Sequence, residues 1–120
     1  MFIALAIALM APAPALGAHV EAVHIDKQLW ISKPTARDFL AVYPKDARRE
    51  KIAGEVSLMC SVRVDGGLTD CAVLEESPNA VGFGDAALAL TEKFRLRTHL
   101  PDGRPTAGGR LRIPMRFSPR

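Results

Sequence analysis

From Gly54 the chain alternates with a period of two: Val56, Leu58, Cys60, Val62 and Val64 share one parity, and Glu55, Ser57, Ser61, Arg63 and Asp65 the other. Successive side chains of a strand point to opposite faces, so the pattern predicts a strand with one buried and one solvated face. A helix would scatter these valines around its circumference. Asp65, Gly66 and Gly67 are placed to supply the positive φ angles of a tight hairpin, and residues 68–74 read as the return strand. The only two cysteines, Cys60 and Cys71, then lie opposite each other or one diagonal step apart, both on the parity of the buried valines.

Beyond the hairpin, Ser77, Pro78 and Asn79 interrupt the pattern, after which Phe83, Ala87, Leu90 and Phe94 recur at helical spacing. This predicts an amphipathic helix of about three turns. Pro101, Asp102, Gly103 and Pro105 mark a loop, and residues 109–117 alternate Leu111, Ile113, Met115 and Phe117 against Arg110, Arg112 and Arg116, a third strand. Upstream, residues 34–42 and 44–52 read as two short helical segments with Pro34 and Pro44 at or near their first turns, where a missing N–H does no harm. Residues 19–33 are expected to form an irregular lead-in. The predicted fold is α+β in the order α-β-β-α-β: one domain over residues 34–117, with a small antiparallel sheet packed on helices.

The thiols can be interpreted only with a compartment in hand. Residues 2–11 are all apolar, and the small residues and prolines of 12–18 follow, a pattern that predicts a secretory signal over residues 1–18 with cleavage between Ala15 and Ala18. No Lys or Arg precedes Lys27, so either the start codon is misplaced or the α-amino group alone serves as the signal's positive charge. The run is shorter than the roughly 20 residues that span a bilayer, so export to the periplasm is expected ahead of an inner-membrane anchor through residues 2–18. Exported thiols on facing strands oxidise where geometry allows, and Cys60–Cys71 is therefore expected as a structural disulfide; two separate buried thiols are the competing reading. Zinc would need four ligands at short spacings, and a redox pair usually appears as C-x-x-C at a helix start; neither pattern is present.

Other chemistry is thin. The seven arginines from Arg95 onward face Asp102 as their only acidic neighbour, although the chain as a whole carries only +3. Such an end invites a nucleic-acid reading, which export disfavours; a solvated strand face is expected. Gly82, Gly84 and Ala87 formally match a dinucleotide fingerprint, but the match lacks the strand before it and the room for a βαβ unit. His19, His24 and His99 are scattered and have no partner at a catalytic spacing, and Tyr43 and Trp30 read as packing residues. No catalytic residue, metal site, cofactor or small-molecule substrate is expected, and the protein is not predicted to be an enzyme.

Tyr43-Pro44 with Ala47, Gly54 and Val56, then Asp65-Gly66, Val73, Ser77-Pro78, Phe83, Ala86-Ala87, Phe94, Gly103 and Ile113-Pro114 with Phe117 stand in an order and spacing that resembles the C-terminal domain of the TonB family. The resemblance covers residues 43–117. It implies a periplasmic domain related to energy-coupled uptake, whose partner is an envelope protein such as a TonB-dependent outer-membrane receptor. A short receptor segment would add as a strand beside the last strand of the sheet. The positions matching that edge are Arg110, Arg112, Ile113, Pro114 and Arg116, with Tyr43 and Pro44 nearby. The expected form is a short member without the anchor and long Pro-rich spacer of full transducers; Leu40, Ala41 and Val42 stand where the prototype has Gln-Pro-x. The alternative is a structural or self-associating envelope protein, a homodimer among its forms, that keeps the fold without receptor binding. On an edge strand, Ile113 and Met115 would bond the neighbour while Arg112, Pro114 and Arg116 face outward, leaving two donors with a gap at the proline.

Overall fold

The computed structural model describes residues 29–119. The expected signal over residues 1–18, its cleavage site, His19, His24 and the lead-in up to residue 28 lie outside them. The elements run β1 (Trp30–Ser32), α1 (Ala36–Val42), α2 (Lys45–Arg49), β2 (Gly54–Val62), β3 (Leu68–Ser77), α3 (Phe83–Ala89), a 3-10 turn (Leu90–Lys93), β4 (Arg95–Leu96) and β5 (Arg110–Phe117). The architecture is α+β, as expected. Its main sheet is antiparallel in the order β3-β2-β5, and β1 pairs with β4 in a separate two-stranded ribbon.

Alternation puts Val56, Leu58, Cys60 and Val62 of β2 and Leu111, Ile113, Met115 and Phe117 of β5 on the buried face. Helix α3 covers that face with Phe83, Ala86 and Ala87, and Leu90 and Phe94 continue the cover beyond it. The helix begins where Gly82 takes φ +108°, a left-handed conformation that L side chains rarely adopt. Gly84 follows because the Glu76 carboxylate and the Val73 side chain fill the space a Cβ would need, and its N–H donates to Glu76 Oε2 at 3.2 Å. Both glycines of the apparent fingerprint are thus accounted for by turn and packing geometry.

Helix α1 starts with a reciprocal cap: the Asp38 N–H donates to Thr35 Oγ1, and the Thr35 N–H donates to Asp38 Oδ2. Pro44 precedes α2 as its N-cap residue. The predicted lead-in over residues 19–33 contains strand β1 at its end, where Trp30 stacks on Phe94 with ring centroids 5.1 Å apart. A three-residue strand is too short to show a period.

The hairpin departs from expectation in three details. Strand β2 ends at Val62, so Val64 is 82% exposed and not buried, and β3 runs to Ser77 and not to residue 74. Of the three turn residues only Gly66 has a positive φ. The Asp65 carboxylate does the remaining work by accepting from the Arg63 guanidinium and, at 2.8 Å, from the Gly67 N–H. The Arg63 hydrogen bond, then the Gly67 N–H, hold its carboxyl below the ordinary carboxylate value. A depressed native pKa stabilises above the unfolded value of about 3.9, and that contribution is lost as pH falls through the native one. Acid titration is therefore expected to loosen the hairpin tip below about pH 4, seen as faster Gly67 amide exchange. In Asp65→Asn this step should vanish; its persistence would assign the loosening to another group.

Candidate peptide-binding edge

Among the described residues strand β5 lies at one margin of the sheet, bonded to β2 on one side only. Its register is set before it starts: Val62 N–H donates to the Gly109 carbonyl at 2.9 Å, while Val62 accepts from the Gly108 N–H at 2.8 Å. Gly108 has φ +85°, so this is a glycine bulge opposite Val62. From there the pairs Cys60/Leu111, Leu58/Ile113, Val56/Met115 and Gly54/Phe117 follow in unbroken register. Hydrogen bonding alternates along an antiparallel pair, so the backbones of Leu111, Ile113, Met115 and Phe117 turn toward β2. Those of Arg110, Arg112, Pro114 and Arg116 turn outward.

The other margin is a poorer template. Strand β3 shifts register against β2 twice, between Ser57 and Leu58 and between Met59 and Ser61, and Asp70 takes φ +51° at the second shift. Bulges of this kind twist an edge away from a straight partner. The second bulge brings Cys60 and Cys71 together; they form a disulfide, with Cα atoms 4.0 Å apart. The sulfur pair is a staple within the hairpin and not a reactive centre at the β5 edge.

The arginines stand on the solvent face of the sheet, not in the plane of its rim. Arg116 Nη1 lies 3.4 Å from Glu55 Oε2, and Arg112 Nη2 reaches across β2 to Glu75 Oε1 at 3.5 Å. All four side chains are at least half exposed, so each pair contributes at most a few tenths of a kcal/mol to about 1 kcal/mol. Neither carboxylate was named among the sequence candidates. Glu55 could have been found by aligning the two alternating strands antiparallel; Glu75 lies past the predicted end of the return strand.

Tyr43 is a core residue. Its ring meets Phe83 and Phe117 edge-on at 5.6 and 5.7 Å, and its hydroxyl donates to the Ile52 carbonyl at 2.6 Å. Burial raises its phenol pKa. Pro44 rests close to Gly82. Tyr43 thus supports the C-terminal end of β5 from beneath through Phe117, whereas Ile113 has a buried side chain and a backbone turned toward β2, and it holds the strand in place without presenting a group at the open side.

A family model described as Gram-negative bacterial TonB protein C-terminal matches residues 40–119. An uncharacterised protein of Caulobacter vibrioides is 42% identical over 60 residues, half of this chain; the match spans 60% of that relative's length. Among solved structures, the solution structure of the Pseudomonas aeruginosa TonB C-terminal domain superposes with a TM-score of 0.50 at 24% identity, over 62% of this chain and 74% of that one. The TonB2 protein of Vibrio anguillarum gives a TM-score of 0.51 at 18% identity, over 90% and 93% of the two chains. At these identities the two structures establish likeness of fold. No described helix is long and apolar enough to cross a membrane.

Proposed function

The chain belongs to the family of Gram-negative bacterial TonB protein C-terminal domains, and from that premise we propose that it is a periplasmic binding module. It recognises an extended segment of an envelope protein, a TonB-dependent outer-membrane receptor, by strand addition along Arg110–Phe117. It is a binding module and not an enzyme.

The observation that carries this reading is the contrast between the two margins of the sheet. Eight residues of β5 run in unbroken register with outward-facing backbone at Arg110, Arg112, Pro114 and Arg116, whereas β3 is bulged twice. Pro114 removes one outward donor. The gap discourages indiscriminate edge pairing and leaves the Arg110, Arg112 and Arg116 N–H groups for a short partner.

Capture of a receptor plug domain by the full chain tests the reading. Arg112→Glu with Arg116→Glu reverses the charge beside the two outward donors that flank Pro114 without touching the buried face, and is expected to weaken capture about tenfold or more. Equal capture by wild type and variant would count against the β5 edge. A stable dimer that excludes the plug would favour the self-associating alternative.

A further inference from the structure

The chemistry of the segment that β5 accepts follows from the spacing of its arginines; this inference rests on strand addition at β5. Side chains of neighbouring strands in register share a face whether the strands run parallel or antiparallel, with directly opposed Cβ atoms about 4.5–5.5 Å apart in the antiparallel case. Arg112 and Arg116 lie on one face, four residues apart, and Arg110 extends the row by two. The partner side chains beside Arg112 and Arg116 therefore also belong to residues four apart.

The sheet already shows what these guanidinium groups accept. On the inner side, Glu55 sits directly across from Arg116, and Glu75 reaches Arg112 over β2. Each contact is exposed, and a guanidinium carries five N–H donors, so one carboxylate does not saturate it. Among the described residues Glu55 pairs with Arg116 and Glu75 with Arg112 while Arg110 forms no ion pair, leaving positive charge along the open side of β5. A basic partner would add like charge beside Arg112 and Arg116, which is destabilising for directly opposed residues.

We propose that the edge selects an acidic extended peptide with carboxylates at positions i and i+4, one beside each of Arg112 and Arg116. The residue between them lies beside Pro114 and needs no charge. Glu55 and Glu75 compete for the same guanidinium groups and so hold the affinity down.

The test uses the oxidised full chain and short synthetic peptides on a Thr/Val host. One carries Glu at i and i+4, one Glu at i and i+3 so that the two charges fall on opposite faces, and one Gln at both sites. Affinities come from fluorescence anisotropy at about 50 mM salt, where surface charge is weakly screened. Amide shifts of Arg112 and Arg116 report the site. The i,i+4 peptide is expected to bind about tenfold tighter than the Gln peptide and about threefold tighter than the i,i+3 peptide. Glu55→Gln and Glu75→Gln should each tighten it about twofold.

Equal binding of the Glu and Gln peptides with shifts at both amides overturns the charge rule and leaves strand addition standing. An absence of amide shifts with every peptide overturns strand addition, and this inference with it. Displacement of the acidic peptide by inorganic phosphate or by vesicles of anionic lipid, at concentrations where a neutral vesicle does nothing, overturns the peptide reading in favour of a phosphate-binding face.

Discussion

Reduction of the Cys60–Cys71 bridge is expected to lower the domain's stability by on the order of 3 kcal/mol, the chain entropy released by opening a loop of this size. For a domain of about one hundred residues that corresponds to a fall in Tm of roughly 12–24 °C. The loss is large against the 5–15 kcal/mol typical of a whole domain. Reduced wild type is the cleanest comparison because both sulfurs remain and no cavity opens, whereas Cys60→Ala would also empty a fully buried position. The bridge crosses β2 and β3 where their register shifts, so it fixes a pairing that the bulge at Asp70 leaves weakly specified. Amide exchange in β3 should accordingly accelerate more than exchange in β5. A urea midpoint unchanged by reductant, with both thiols titratable, would show that the bridge contributes nothing to stability.

The sequence pattern reads well where one periodicity persists and badly where tertiary contacts decide. Strands β2 and β5 each keep a two-residue alternation, so their buried faces, their antiparallel pairing and the outward backbone at Pro114 follow from the chain alone. Strand β3 breaks parity at its bulges, which is why its last three residues, Glu75 among them, escape the pattern. Val64 continues the apolar parity into a segment that has already begun to turn, as the Gly66 N–H to Arg63 carbonyl bond of 2.9 Å shows. The ribbon of Trp30–Ser32 with Arg95–Leu96 is invisible because two or three residues cannot display a period. Tyr43 sits in an aromatic cluster with Phe83 and Phe117, residues forty and more positions away that only the fold brings beside it. The edge was therefore legible as backbone, and Glu55 with it once the two alternating strands are set antiparallel, while Glu75 was not.

Replacing Gly54 by Ala is expected to cost about 3 kcal/mol, the upper end of what overpacking a close-packed core usually costs. A Cβ at Gly54 would collide with the Phe83 ring, and that ring has little room to retreat because it is fully buried against Tyr43 and Phe117. Gly54 also pairs with Phe117 at the C-terminal end of β5, and the Phe83 and Phe117 rings lie 5.2 Å apart. Pressure on Phe83 is therefore passed to the residue that anchors Arg116 and the outward backbone beside it. The variant should lose affinity for a strand partner as well as stability, with the earliest loss of amide protection at the C-terminal half of β5. Phe83→Leu shortens the obstructing ring at a cost of its own, so in the double variant the two costs should sum to less than their separate values by about 1 kcal/mol or more. Strict additivity in denaturant melts of the four proteins would mean that Gly54 is kept small by something other than Phe83, and the link from the helix through the aromatic cluster to the edge would be broken.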